Sequence, residues 1–174
     1  MNTLPRVIEG THFHSEQILS LFRSVARSFE RKGAALWPVN MFTQEWLKQQ
    51  FSDNIIYCAF YKDALAGVVF LQKEDDLFWP EKPKGEAYYL HKLCVGRDYK
   101  GTGISNILME QAVELTQNDG RKYLRLDCDP RPVLLHLYSN FGFEKVDQKT
   151  VDKMVLEHGQ VIANFQLARF EMIV

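Results

Sequence analysis

The sequence has little cysteine, almost no net charge and no long apolar run, and each shortage removes a class of function. Cys58, Cys94 and Cys128 are odd in number, far apart and each set in an apolar or strand-like stretch, so they form neither a disulfide framework nor a zinc pattern and read as small core residues. Lys plus Arg number 21 against 22 Asp plus Glu, which provides no global basic field for DNA or RNA and confines any anion site to a local cluster. No stretch approaches the roughly 18 apolar residues of a membrane span. The opening MNTLPRVIEG lacks the apolar centre of a secretion signal, so no membrane partner and a cytoplasmic location are expected. Internal repeats and low-complexity tracts are missing, as are a GxxxxGK[ST] phosphate loop and a complete GxGxxG. His12 and His14 are two apart rather than helix-spaced, a weak metal pair beside an ordinary loop or strand end, and no metal is expected.

What is present is apolar material for one core: 46% of residues are hydrophobic and 13% aromatic, in a length that suits one domain over 1–174. Arg6 to Ile8 reads as a short strand. Ser15 is expected to cap a helix with Ile18, Leu21, Phe22, Val25 and Phe29 on one face and Gly33 at its stop. Thr43 caps a short helix over Gln44 to Phe51, with Phe42 and Leu47 spaced as a hydrophobic staple. Trp37, Phe42 and Trp46 crowd this region, as core or as one wall of a pocket.

Ile55 to Tyr61 and Leu65 to Leu71 read as a β-hairpin, in which Gly67 marks a bulge or a close backbone approach. KEDDLFWPEKPKGE reads as a long exposed connection. Within it Asp75, Asp76 and Trp79, together with Trp37 and Phe42, either rim a pocket for a cationic amine or serve loop solubility and core packing. The strand Ala87 to Val95, a helix opening at Gly103 or Ile104 and the strand Lys122 to Cys128 form a βαβ unit. Asp129 and Pro130 are expected to start a helix that runs to about Asn140, with Gly142 ending it and Phe143 opening a strand. In the last strand, Val161 to Met172, the apolar alternation slips phase, which predicts a bulge near Leu167 and Ala168 and leaves a long strand for pairing across a possible homodimer.

The segment RDYKGTGIS joins strand to helix. Gly101 and Gly103 let the backbone turn tightly and approach a ligand, and the helix start offers N–H groups to an anion such as a pyrophosphate. A tight turn with no ligand accounts for the same two glycines, and a nucleotide-binding loop is a third reading.

The order of strand LHKLCV, turn GRDYKGTG, helix ISNILMEQAVEL, strand YLRLDC and helix PVLLHLYSNFGF resembles the GNAT superfamily of N-acetyltransferases. The family's R/Q-x-x-G-x-G/A falls on Lys100, Gly101, Thr102, Gly103, Ile104 and Ser105, and its Y-x-x-x-G-F on Tyr138 to Phe143. Lys100 stands for the usual Arg or Gln, Ser105 for Gly or Ala, and Arg131 where many members carry Asn. The resemblance implies an α/β fold, a twisted mixed sheet flanked by helices and splayed near Leu93 to Val95 and Leu126 to Cys128. It further implies acetyl-CoA as co-substrate, held at Lys100 to Ser105, along the main chain of Leu93, Cys94 and Val95 and by Arg131, and direct attack of a small-molecule or peptide amine on the thioester. Tyr138 falls where the family's general acid stands, and an N–H of the strand would polarise the thioester carbonyl. His91, which strand parity places on one face with Tyr89, Leu93 and Val95, is the candidate base, with a hydrogen-bonded structural histidine as the other reading. No base adjoins Cys94 in the sequence, so an acyl-enzyme there is not expected. Arg97 is another cation available to phosphates. The alternative function is a GNAT-like acyl-CoA-binding module that senses or docks without turnover.

Overall fold

Lys62 and Asp63 take φ of +48° and +64°, the left-handed pair of a two-residue hairpin turn whose twist matches that of its strands. They join β2 (Asn54–Tyr61) to β3 (Ala64–Gln72), with Tyr61 opposite Ala64. The computed structural model describes residues 4–34, 36–155 and 161–174, those at 153–155 and 161–164 by backbone alone.

From this hairpin the sheet grows both ways. β1 (Arg6–Glu9) lies antiparallel outside β2, and β4 (Ala87–Val95) antiparallel beside β3. β5 (Tyr123–Cys128) runs parallel to β4, reached through α3 (Ile104–Asn118). The antiparallel hairpin of β6 (Glu144–Val155) and β7 (Val161–Ile173) completes seven strands in the order β1-β2-β3-β4-β5-β7-β6, with β7 next to β5. α1 (Ser15–Glu30) and α2 (Gln44–Asp53) precede the first hairpin, and α4 (Pro132–Phe141) links β5 to β6.

The mixed sheet is buried on both faces. One face carries Val69, Leu90, Leu126 and Phe170 against Ile104, Leu108, Met109 and Ala112 of α3 and Tyr138 of α4. The other meets α1 and α2 around Phe22, which stacks on Phe42 at 4.9 Å and meets Trp46 and Phe70 edge-on at 5.5 and 5.6 Å. Those aromatic contacts each add about 0.5–1.5 kcal/mol to the area they bury, and they follow from the helical spacing of Ile18, Leu21, Phe22 and Val25. Gly67 shows both features expected of it. Ala66, its neighbour, is the extra residue of a bulge opposite Ala59 and Phe60 of β2, and a Cβ on Gly67 would come 3.1 Å from the backbone carbonyl oxygen of Cys94 and 2.7 Å from Ile104 Cγ2.

Four expectations change. Ser15 lies inside α1 rather than capping it, because a 3-10 turn at His12–His14 has already begun helical backbone, and its hydroxyl donates to the His12 carbonyl at 2.7 Å. α4 starts at Pro132 after Arg131, while Asp129 accepts the Arg131 N–H at 3.0 Å in the preceding turn. The bulge of the last hairpin is on β6, where Val146 is the extra residue, and not on β7. Leu167 and Ala168 are adjacent and both buried because β7 is covered on both faces, so no phase slip is needed; the side chains of Val161 and Ala163 lie outside the described residues. Lastly, Trp79 of the supposedly exposed connection is 1% exposed. The Arg169 guanidinium covers its ring at 4.4 Å and Arg125 lies 5.5 Å away, each arginine held by two carboxylates: Asp147 and Glu81, and Glu86 and Glu171.

Candidate active site

The parallel register of β4 with β5 stops at Leu90 and Leu126, and from there Asp127 and Cys128 pair only with β7. At the same level β4 carries a bulge. Phe70 faces His91 and Val68 faces Cys94, so β4 has one residue more than β3, and Lys92 takes φ of +50°. The bulge alters the parity read from sequence: Tyr89, His91 and Cys94 share a face, while Leu93 and Val95 join Leu90 on the α3 side. Strand-end groups of β4 are thereby released from sheet pairing on the β5 side, among the described residues.

A cavity of about 280 Å³ opens at this splay. His91, Lys92 and Leu93 line it from β4, Asp127 and Cys128 from β5, Leu134 and Tyr138 from α4, Trp37 and Met41 from the α1–α2 connection, and Leu77 and Phe78 from the segment anchored by Trp79. The aromatic wall expected of the α1–α2 region exists through Trp37; Phe42 and Trp46 are core.

His91 stands between two carboxylates. Its Nε2 is 3.4 Å from Asp75 Oδ2 and its Nδ1 3.9 Å from Asp127 Oδ1. Asp75 Oδ1 accepts the N–H groups of Leu77 and Phe78 at 3.1 and 2.9 Å, which fixes the carboxylate and aims Oδ2 at the imidazole. Burial alone would raise the Asp75 pKa, but His91 and these two N–H groups hold it below the usual carboxylate value. Asp127 moves the other way: burial pushes it up, Asp75 adds to this, and His91 and Lys92 pull against it. Asp75 Oδ2, His91 Nε2 and Asp127 Oδ1 are buried without a hydrogen-bond partner among the described residues.

Tyr138 is 7% exposed, its ring 5.9 Å from that of Phe143 and 6.0 Å from that of Phe170. Burial, then Cys128 and Asp127, raise its pKa, so the hydroxyl keeps its proton at neutral pH. The thiols are also held protonated, Cys58 and Cys128 pushed up to about 12 by burial and Cys94 raised by the same cause.

Residues 25–158 match the family model described as the GNAT acetyltransferase domain. The chain belongs to the GNAT acetyltransferases. No curated protein sequence matches it significantly. Solved structures show the same fold: a GNAT acetyltransferase of Streptococcus pneumoniae at 19% identity and TM-score 0.68, covering 98% of this chain and 100% of that one. A GNAT acetyltransferase of Elizabethkingia anophelis with acetyl-CoA bound has 15% identity and TM-score 0.62, with 98% of each chain covered. The ribosomal-protein-alanine N-acetyltransferase of Brucella melitensis has 15% identity and TM-score 0.68, covering 97% of this chain and 99% of that one. Among the described residues, no helix is long and apolar enough to cross a membrane.

In this GNAT chain the glycine loop sits at the start of α3. Gly103 precedes the helix at φ +85° and Gly101 takes +76°; Lys100, Gly101, Thr102 and Gly103 are exposed, and a Cβ on either glycine would meet nothing within 4 Å. That open cradle, with the first-turn N–H groups of Ile104 and Ser105 beside it, fits a pyrophosphate. The Thr102 hydroxyl donates to the Tyr99 carbonyl at 2.5 Å and Ile104 is buried on Gly67, so the loop is fixed from beneath. The cations divide differently. Arg131 bonds Asp129 through Nε and Nη2, both at 3.0 Å, and reaches the Ala34 carbonyl at 3.1 Å, while Arg97 donates to Ser28. Of these three, Lys100 alone has a side chain with no ion pair or hydrogen bond among the described residues; its backbone N–H donates to the Arg97 carbonyl at 3.2 Å.

The sequence leaves Asp75 between pocket rim and loop, and it gives Asp127, next to last in the strand Lys122 to Cys128, no role of its own. The signal for Asp75 is the acidic pair ahead of Phe78 and Trp79, two aromatics in a stretch otherwise polar enough for a solvated loop; Leu77 beside them is exposed. Asp76, its neighbour, pairs with Lys84 at the surface. Among the described residues the other histidines stand outside this cluster: His12 packs on Phe51, His14 accepts the Thr11 N–H, and His136 pairs with Asn140.

Proposed function

We propose that this GNAT acetyltransferase moves an acetyl group from acetyl-CoA to a primary amine of a small molecule or peptide by direct attack. The observation that carries the reading is the cavity at the β4–β5 splay, lined by both His91 and Tyr138. Acetyl-CoA supplies the activated acyl group and a thiolate leaving group. Lys100 and the backbone of Gly101 to Ser105 hold its pyrophosphate, and the main chain of Leu93, Cys94 and Val95 lies along the pantetheine arm, where an N–H stabilises the developing oxyanion. His91 takes a proton from the acceptor and Tyr138 protonates the departing sulfur. Arg131, through Asp129 and Ala34, braces the cavity rim against the end of α1, a positioning role in place of a cofactor contact.

The engagement of Arg131 also favours a second reading, an acyl-CoA-binding module without turnover. Calorimetric titration with acetyl-CoA followed by a thiol-release assay over a panel of primary amines separates the two. Binding with amine-dependent release supports the transferase, binding without release supports the module, and neither binding nor release removes both.

A further inference from the structure

Asp127 Oδ1 and His91 Nδ1 lie 3.9 Å apart, too far for a hydrogen bond, and the Oδ1 atom is buried with no partner. On the far side of the ring Asp75, 95% buried by its side chain, directs an unpartnered oxygen at Nε2. A neutral imidazole that gives its Nε2–H to Asp75 therefore faces Asp127 with a lone pair, acceptor against acceptor, and the pair lacks a donor. Lys92 is no such donor: its ammonium lies over the Trp37 ring at 6.0 Å and makes no ion pair with Asp127 among the described residues. Arg131 is held by Asp129.

We infer that Asp127 Oδ1 and His91 Nδ1 together form the acceptor subsite, a grip for one protonated primary amine, with Asp75 as the residue that positions the imidazole. The inference rests on the transferase reading for its chemistry and on the geometry alone for binding. Two hydrogen bonds of about 2.8 Å donated by one nitrogen reach acceptors 3.9 Å apart when they open at about 90°, within reach of an ammonium with its third N–H left free. The rest of the cavity sets the body of the acceptor. Trp37, Met41, Leu77, Phe78, Leu134 and Phe165 line the space with apolar surface, which fits an aryl- or alkyl-bearing primary amine.

The proton balance closes without a further reactant. Asp127 neutralises the ammonium on entry, and His91 Nδ1 takes one proton, forming an imidazolium that Asp75 stabilises. The freed nitrogen pair forms the C–N bond to the thioester carbonyl carbon, and the C–S bond breaks as Tyr138 gives its proton to sulfur. The second proton of the nitrogen restores Tyr138, and His91 releases the first to solvent.

The test is equilibrium binding by calorimetry on the full chain, with phenethylamine, tryptamine, hexylamine and their alcohol and carboxylate counterparts as probes, and acetyl-CoA as the fold control. At least one amine is expected to bind the native protein while its alcohol and its acid do not. Asp127→Asn should weaken that amine by roughly tenfold to a hundredfold, as for a lost charge-assisted hydrogen bond, and leave acetyl-CoA affinity unchanged. The comparison of amine with alcohol on the native protein stands even if the variant does not fold. Equal binding of amine and alcohol, no amine binding at all, or an Asp127→Asn protein that binds the amine as tightly would overturn the subsite. So would tight zinc binding that needs Asp75, His91 and Asp127, since their ligand atoms lie within 4.8 Å of one another. Asp127-dependent amine binding without CoA release keeps the subsite and removes the transferase reading, whereas release indifferent to Asp127→Asn does the reverse.

Discussion

Asp75 Oδ2 stands 3.4 Å from Nε2 of His91, while the other oxygen of the same carboxylate is held by the N–H groups of Leu77 and Phe78. A carboxylate oxygen on this side of the ring favours the tautomer that carries its proton on Nε2. An asparagine keeps the two backbone bonds but turns an NH₂ toward Nε2, which selects the opposite tautomer and places the proton on Nδ1. Asp75→Asn should lower kcat by roughly a hundredfold or more, as for a mis-set catalytic histidine, with the KM of the amine little changed because Asp127 remains. Steady-state kinetics decide: an unchanged kcat removes Asp75 from the mechanism.

Tyr138→Phe separates chemistry from packing. The ring keeps its contacts with Phe143 and Phe170, so thermal stability and acetyl-CoA affinity should match the native protein. Turnover should fall by about a hundredfold, the usual contribution of a general acid. A variant that turns over at the native rate assigns the proton on sulfur to another donor.

Gly67→Ala should destabilise the fold by about 1–3 kcal/mol, as overpacking does. Its Cβ would come 2.7 Å from Ile104 Cγ2 and 3.1 Å from the Cys94 carbonyl oxygen, so α3 and β4 cannot both stay in place. Urea unfolding measures the loss, and acetyl-CoA affinity should fall with it because Ile104 sits at the base of the glycine loop.

Acid should act through carboxylates of opposite sign. Asp129 and Asp147 are lowered by hydrogen bonds from Arg131 and Arg169, and Asp75 by His91 and its backbone donors against the effect of burial. A lowered folded pKa stabilises above the ordinary value of 3.8 and loses that contribution as pH falls through the lower folded value. Tm should thus hold steady from neutrality to about pH 5 and drop below about 4. The raised Asp127 works in reverse, stabilising below its ordinary value and losing this as pH rises, so native protein carries its burden at pH 7. Asp127→Asn should match or exceed the native Tm at neutral pH; a large decrease would assign Asp127 to stability rather than to the acceptor.

Much of the fold was legible because its signals are local. Ala87 to Val95 reads as a strand and is one, Thr43 accepts the Trp46 N–H at 3.1 Å as a cap should, the first hairpin turns at Lys62 and Asp63, and α3 starts at Ile104 directly after Gly103. The candidate site was legible in part. Tyr138 and His91 were named from motif and titration chemistry, but their surroundings come from contacts distant in sequence. Trp79 is buried against Ala87 and Tyr89 with Arg125 and Arg169, on strands 46 and 90 positions later, over its ring, and that burial carries Asp75 to His91. The Lys92 bulge depends on the fit of β4 to β3, which strand parity alone does not contain, and so the faces of Leu93 and Val95 were misassigned.

The central claim is direct transfer to an amine, and the fate of the acetyl group tests it most directly. Native protein incubated with acetyl-CoA and the best-binding amine should yield N-acetylated amine in step with free CoA, with protein mass unchanged throughout, by mass spectrometry of both fractions. Acetate in place of the amide, or an acetyl group retained on Cys94 or Cys128, would contradict it.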